Sequence, residues 1–380
     1  MSRRFPDLIL AGATTLAVVM AVVGCTANTD SSTLDNDTTA DGSAAGTVSI
    51  VDHTGNEVSI PSDIQRVAFD EIPLASTYVA YQEGSAPHLV GMSDAVVRSL
   101  ENTVVAQMAP EILDVDTSYY DNGELNVETL LTLEPDVVFY NANNTEHAQM
   151  FAAAGIPAVG FSTSGNPTVV YKDWLELLEK VFQEPGKMDS VIARGEQTVA
   201  DTLSRTSNIA GGAKKDALIV YNYAAGTLRV AGETPFFGYY WLETAGADNA
   251  AVGAQGGLAA VTAEQILAWD PDVVLIGGSG PAGITPDQVL SNSVDGLNLS
   301  SLRAVQEKKV YSTDLGMWSW FTPNPDAPLV TSWLGKVIYP DEFSDVDLVA
   351  ETQDYYRQVY GYELSGDQAN AIYQGLFSNE

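Results

Sequence analysis

The sequence contains a single cysteine, Cys25, in 380 residues, which excludes an internal disulfide and any cluster built from cysteine ligands. Histidine is nearly as scarce, with three in all: His53, His88 and His147. Positive charge is also short, since 17 Lys and Arg face 50 Asp and Glu for a net charge of −33. A field of that sign repels nucleic acid and anionic lipid surfaces, so no nucleic acid is expected as a partner. Catalytic signatures are missing too. No P-loop, nucleophile elbow or Ser-His-Asp order is present, and "GGSGPAG" from Gly277 does not have the spacing of the dinucleotide fingerprint. Paired carboxylates abound only because acid abounds, so no catalytic residue is assigned and the chain is not expected to be an enzyme. A surface adhesin is the remaining reading from a different class. What is present is ample apolar material: 45% hydrophobic residues, with six Trp and seventeen Tyr. A chain of this length and composition folds, and divides into two domains of ordinary size.

The N-terminus reads as an export signal. Arg3 and Arg4 precede an apolar run from Leu8 to Val23, which is shorter than the roughly 20 residues needed to span a bilayer. Its Val22-Val23-Gly24-Cys25 ending resembles the lipobox of bacterial lipoproteins, in which the cysteine is acylated and becomes the new N-terminus. Residues 1–24 are therefore read as a lipoprotein signal peptide, with lipidation at Cys25. That places the body outside the cytoplasm, held to the outer face of the cell membrane. Residues 25–46, rich in Ser, Thr, Asp, Asn and Gly, read as a flexible tether. Structure begins at "TVSIVDHTGNEVSIP", whose alternation around Thr54-Gly55-Asn56 predicts a β-hairpin with His53 as a surface residue of its turn.

One phrase occurs twice. "NVETLLTLEPDVVFYN" from Asn126 is matched by "TAEQILAWDPDVVLIG" from Thr262, 136 positions further on. Each copy predicts the same series: an N-cap, a short amphipathic helix, a proline that stops it, and an apolar run typical of a strand buried on both faces. Strand and helix patterns alternate around both copies, which implies two α/β lobes. The boundaries are 47–186 for an N-terminal lobe, 187–206 for an inter-lobe helix and 207–380 for a C-terminal lobe. The fold class is α/β: two Rossmann-like lobes with short, mostly parallel sheets, joined by one long helix.

The ordered set of motifs carries a resemblance. The lipid cysteine, "D-x-x-G-x-x-V-x-I-P" from Asp52, "N-V-E-x-L-L-x-L-x-P-D-V-V", "A-G-A-D-N" from Ala245 and "T-A-E-Q-I-L-A-W-D-P-D-V-V" together resemble the helical-backbone (class III) substrate-binding proteins of ABC importers. That family takes up iron-siderophore complexes, haem and cobalamin. The resemblance implies a ligand clamped between two lobes and delivered to an ABC permease dimer with its cytoplasmic ATPase. It also implies that Glu128 and Glu264, equivalent residues of the two copies, meet arginines on the two permease subunits; a Glu in a first helical turn also complements the helix dipole by about 0.3–1 kcal/mol.

Ligands of open α/β sheets sit beyond the carboxyl ends of the strands. The residues there that are expected to line the cleft are Glu71, Tyr119, Tyr120, Asn141, Asn143, Ser162, Tyr223, Phe236, Trp318 and Trp320. Several are aromatic, which suits a bulky and partly apolar chelate. Cobalamin is disfavoured, because relatives that bind it carry aromatics where this chain has Asn122, Asn141 and Leu258. Anionic ferric catecholates call for clustered arginines, whereas Arg66, Arg98, Arg229 and Arg303 are scattered. A neutral ferric hydroxamate fits better. Haem remains the alternative, with Tyr119, Tyr120, Tyr223 or His147 as an axial ligand. A bare ion bound directly by the protein is not expected, since the related metal-binding class uses a His-rich site that three histidines do not supply. The expected ligand is thus a small-molecule metal chelate, with no intrinsic cofactor.

Overall fold

Both copies of the repeated phrase fold alike in the computed structural model of the chain, which describes residues 46–70, 74–101, 103–121, 123–209, 213–232, 236–277, 283–313, 315–317 and 320–373. The signal segment, Cys25 and the tether lie outside the described residues. In the first copy the Asn126 side chain accepts from the Thr129 amide at 3.0 Å and caps the helix Val127–Leu131. In the second, Thr262 and Gln265 form a reciprocal capping box on the helix Ala263–Trp269. Glu134 and Asp270 then adopt left-handed φ values of 46° and 44°. A proline follows each, and the strands Val137–Asn141 and Val273–Ile276 begin. The duplication therefore reaches down to an uncommon backbone conformation.

The aspartate after each proline locks the foot of a neighbouring strand. Asp136 Oδ2 accepts from the amides of Gln65 at 2.7 Å and Arg66 at 2.9 Å. Asp272 Oδ2 accepts from the Asp216 amide at 3.1 Å, while its Oδ1 accepts from Arg303 at 2.8 Å. In both copies a carboxylate sets the register of two parallel strands where they start.

Elements are numbered in chain order. The first half holds β1 (Thr47–Val51), β2 (Glu57–Pro61), β3 (Val67–Phe69), α1 (Ala75–Tyr81), β4 (Leu89–Gly91), α2 (Asp94–Leu100) and α3 (Val104–Met108). It continues with β5 (Tyr120–Asp121), β6 (Glu124–Leu125), α4 (Val127–Leu131), β7 (Val137–Asn141), α5 (Thr145–Ala154) and β8 (Ala158–Phe161). Its sheet has the order β4-β3-β7-β8 and is parallel throughout. Helices α6 (Pro167–Phe182) and α7 (Asp189–Thr206) follow.

The second half holds β9 (Asp216–Ala224), β10 (Thr227–Ala231), α8 (Phe237–Thr244), β11 (Asp248–Asn249), β12 (Leu258–Val261) and α9 (Ala263–Trp269). After them come β13 (Val273–Ile276), α10 (Pro286–Leu290), α11 (Arg303–Gln306), β14 (Val310–Ser312), α12 (Ala327–Ile338), α13 (Leu348–Tyr360) and α14 (Gly366–Ile372). The second sheet runs β12-β10-β9-β13-β14, with β11 beside β9. Here β9, β13 and β14 are parallel, while β10 and β12 are antiparallel additions at one side. The repeated strands β7 and β13 lie in separate sheets, and β3-β7-β8 corresponds to β9-β13-β14.

Two helices, α6 and α7, lie between the sheets in the chain. Gln183, with φ 58°, caps α6 in the left-handed region, and Pro185 with Gly186 breaks the chain before α7 starts at Asp189. The inter-lobe helix expected over 187–206 is therefore α7, and α6 is a separate helix beside it. Tyr171, Trp174, Leu175 and Leu178 of α6 belong to one hydrophobic core that also includes Phe69 and Phe139 of the first sheet and Ile219 and Leu275 of the second. Burying each such side chain contributes roughly 1.5–3 kcal/mol. Apolar packing thus joins the lobes without a gap in the core.

The hairpin β1–β2 closes the open edge of β8. The His53 amide donates to Gly160 O at 3.0 Å, and Asp52 Oδ2 accepts from the Gly160 amide at 2.8 Å. A Cβ at Gly160 would lie 2.8 Å from Thr54 and 2.9 Å from Asp52, so only glycine permits this approach. Covering an edge strand in this way blocks pairing with other chains. His53 does sit in the turn, but half-buried, with Nδ1 accepting from the Ser162 amide at 3.1 Å. Burial holds its pKa below the ordinary 6.5. A depressed pKa means that the folded state favours the neutral ring, so its contribution is present above the unfolded value and is lost as pH falls through the folded one. The melting-temperature difference between wild type and His53→Ala should be largest near pH 8 and shrink as the pH is lowered towards 5. A difference independent of pH would contradict this anchoring.

Candidate ligand-binding site

The carboxyl ends of β3, β7 and β8 bring two polar clusters together. Asp70, directly after β3, is only 1% exposed. Its carboxylate accepts from the Tyr120 hydroxyl and faces His147 Nδ1 at 3.0 Å and 2.8 Å through its two oxygens. The Asp70 amide donates to Phe139 O at 2.9 Å, which ties the residue to β7. His147 is the third residue of α5, placed by the Asn144 cap that accepts from its amide at 3.1 Å. A carboxylate only accepts hydrogen bonds, so Nδ1 carries the ring proton. In the neutral imidazole Nε2 then keeps its lone pair. This is the arrangement in which a carboxylate orients a histidine for a metal or another electrophile.

The second cluster is neutral. Asn141 Oδ1 accepts from the Asn143 amide and from Thr163 Oγ1, both at 3.0 Å. Asn143 Nδ2 donates to Thr163 Oγ1 and Ser164 Oγ, both at 3.1 Å. Ser162 is held from both sides, by its amide on His53 and by its carbonyl, which accepts from Trp174 Nε1 at 2.6 Å. Amides and hydroxyls in this pattern recognise oxygen-rich, uncharged groups.

In the second lobe, Tyr223 near the end of β9 is half-buried and its hydroxyl donates to Asp295 O at 3.2 Å. Phe236 is half-buried with its ring 4.8 Å from that of Tyr221. The Tyr221 hydroxyl is buried without a hydrogen-bond partner, and desolvation pushes its pKa up.

The expected cleft residues separate into three groups. Tyr120, Asn141, Asn143, Ser162, Tyr223 and Phe236 stand at the strand ends with exposed or half-exposed surface. Tyr119 and Trp320 do not. Both are fully buried, because the Tyr119 hydroxyl is drawn in to Phe69 O and the Trp320 indole donates to Asp326 at 3.0 Å. Glu71 and Trp318 lie outside the described residues. Sequence alone offers His147 only as a candidate axial ligand and does not pair it with Asp70; an acid directly following a short buried strand is the available signal. Among the described residues no group of three or more His, Cys, Asp or Glu is arranged to hold a metal ion.

Glu128 and Glu264 are both exposed in the first turns of their capped helices. The Glu264 carboxyl is held below its ordinary pKa by its own backbone amide and by the Thr262 hydroxyl.

Residues 75–315 match the model of a family described as periplasmic binding proteins. The chain belongs to that family. Its fold is that of the class III members, the substrate-binding components of ABC importers, and its relatives are solute-binding proteins, not enzymes. Over 343 residues the chain is 28% identical to the molybdate-binding protein MolA of Haemophilus influenzae, covering 84% of this chain and 93% of that one. A periplasmic solute binding protein from Veillonella parvula has a crystal structure that superimposes with a TM-score of 0.76 at 29% identity, covering 87% of this chain and 98% of the other. Helicobacter pylori CeuE, solved as a nickel–histidine complex, superimposes with a TM-score of 0.68 at 21% identity over 85% of this chain and 98% of that one, a likeness of fold. Members of the family act outside the cytoplasm with an ABC permease and its ATPase. No helix among the described residues is long and apolar enough to cross a membrane.

Removing the histidine beside Asp70 strips a buried carboxylate of one partner, which costs about 1–3 kcal/mol. His147→Ala should lower the urea-unfolding free energy by about 2 kcal/mol. The double variant Asp70→Asn/His147→Ala should lose clearly less than the sum of the two single changes, because the cost lies in the orphaned charge. Strict additivity in that cycle would mean the two side chains do not act as a pair.

Proposed function

We propose that this binding protein captures a ferric siderophore of the hydroxamate type between its lobes and delivers it to an ABC permease dimer. The observation that carries the reading is the buried Asp70 behind His147, which leaves Nε2 as the lone-pair nitrogen of a preoriented ring at the strand ends. A tetradentate dihydroxamate leaves positions open on octahedral iron, and Nε2 is the protein donor suited to one of them. The amide and hydroxyl cluster of Asn141, Asn143, Thr163 and Ser164 suits iron-bound hydroxamate oxygens, whose negative charge the ferric ion offsets. Anionic cargo is less well served. Arg66 is spent on the Leu133 carbonyl, and Arg98, Arg194, Arg205 and Arg303 are paired with Asp94, Asp354, Asp345 and Asp272.

A second reading is molybdate capture, favoured by the relative that is 28% identical. Haem is a third candidate for the same histidine. Thermal unfolding of the folded domain with ferric di- and trihydroxamates, ferric catecholates, haem, cobalamin and molybdate separates them. A ligand at ~100 times its dissociation constant adds about 2.7 kcal/mol of stability. The ferric dihydroxamate should give that shift and His147→Ala should abolish it. A shift with molybdate alone would move the assignment to the oxyanion, and no shift with any compound would overturn ligand capture at this face.

Docking to the permease is assigned to Glu128 and Glu264, whose equivalent exposed positions on two lobes match a two-fold partner. Reversing both charges should abolish cellular uptake and leave affinity in the isolated protein unchanged; a parallel loss of affinity would place them in the ligand site instead. In the same cells the wild-type protein should incorporate labelled palmitate and Cys25→Ser should not, as the proposed lipid anchor requires; equal labelling of the two, or none in wild type, would exclude that anchor.

A further inference from the structure

Asp326 is fully buried, yet its carboxylate accepts four hydrogen bonds. Oδ2 accepts from the Met317 amide at 2.8 Å, from Trp320 Nε1 at 3.0 Å and from the Tyr356 hydroxyl at 2.8 Å. Oδ1 accepts from the Tyr360 hydroxyl at 2.6 Å. A carboxylate survives in an apolar interior only when its lone pairs are occupied in this way. Burial raises its pKa above the ordinary value, and the same donors pull it back.

The donors come from two places. Met317 and Trp320 follow β14 in the chain and are both fully buried, behind the strand-end face of the second lobe. Tyr356 and Tyr360 belong to α13. The chain there is closed tightly onto the carboxylate, since a Cβ at Gly316, φ 70°, would fall 1.9 Å from Trp320 Nε1 and 2.4 Å from Asp326 Oδ2. Asn324 reinforces it, with Nδ2 donating to Trp320 O at 2.7 Å and Oδ1 accepting from the Asp326 amide at 2.8 Å. Through Tyr360 itself α13 also reaches the first lobe: a Cβ at Gly84, just past α1, would lie 2.4 Å from Tyr360 O. One carboxylate therefore connects the segment after β14 of one lobe to a helix that abuts the other.

We propose that Asp326 is a positioning residue for ligand capture, fixing Met317 and Trp320 behind the strand-end face and tying them to the helix that packs against the first lobe. This rests on the reading of that face as the ligand site. Neither Met317 nor Trp320 needs to touch the ligand. The carboxylate sets where these two residues stand relative to both lobes.

Two measurements test this, one of them independent of any ligand. In Asp326→Ala, which removes both acceptor oxygens, hydrogen exchange at the Met317 amide should accelerate at least tenfold beyond the change in global stability; unchanged exchange would overturn the tie. For ligand affinity the variants are Tyr360→Phe and Tyr339→Phe. Tyr339 provides the control, since its hydroxyl also donates a hydrogen bond, to the Gly246 carbonyl at 2.9 Å, but away from Asp326. Tyr360→Phe should weaken binding of the compound that stabilises wild type about five- to tenfold, whereas Tyr339→Phe should leave it unchanged. Equal affinities in the two variants would reduce Asp326 to a structural group. Should Asp326→Ala fail to fold, wild-type native-state exchange replaces that arm: the Met317 amide should exchange only through global unfolding, and exchange at least tenfold faster by local opening would overturn the tie. If no compound binds wild type, the reading of the face fails, while the exchange result still decides whether the carboxylate holds Met317.

Discussion

The foot of each central strand is locked by an aspartate, and the rest of the structure follows from that constraint. A parallel strand buried on both faces has no solvent-facing side to define its register, so something at its end must. Asp136 and Asp272 do this by accepting from backbone amides at the start of the adjacent strand. The left-handed residue and proline ahead of each aspartate turn the chain from helix to strand within a few residues. Because the feet are fixed, the opposite ends are fixed as well: the residues just beyond β3, β7 and β8 come together at one end of the first sheet, and Tyr223 stands at the corresponding end of β9 in the second.

The position of those ends is then a matter of how the lobes are joined. The two sheets are separate, but a single apolar core passes through α6 from Phe139 to Leu275. Two helices, rather than a pair of extended crossovers, make the connection, and α13 adds a further contact through Tyr360. Such packing favours a preformed site over a wide hinge. It agrees with the way polar groups at the strand ends are already arranged: Asp70 engaged with His147 and Tyr120, and Asn141 with Thr163. A preformed site loses less conformational entropy on binding than one that must be assembled.

Much of the architecture was legible in the sequence because it is local. The caps at Asn126 and Thr262, the prolines, the apolar runs and the hairpin around Thr54 are each written within a dozen residues and reappear in the structure. The break between α6 and α7 is likewise written locally, in Pro185-Gly186. The site was less legible because its contacts are remote. Asp70 and His147 are 77 residues apart, and no local pattern pairs them. Tyr119 and Tyr120 look alike as letters, yet neighbouring residues of an extended chain point to opposite sides. One is drawn into the core towards Phe69 and the other meets Asp70. Trp320 was expected at the surface of the cleft on its size and neighbours; a buried acceptor six residues away turned it inward.

The central claim is that one ligand is held by strand-end groups of both lobes at once. Hydrogen–deuterium exchange across the whole chain, with and without the bound chelate, tests it most directly. The account predicts protection in Asn141–His147 and Ser162–Ser164 together with the end of β9 around Tyr223. Protection confined to one lobe, or centred on the apolar groove between α6 and α7 near Val191 and Leu203, would contradict it.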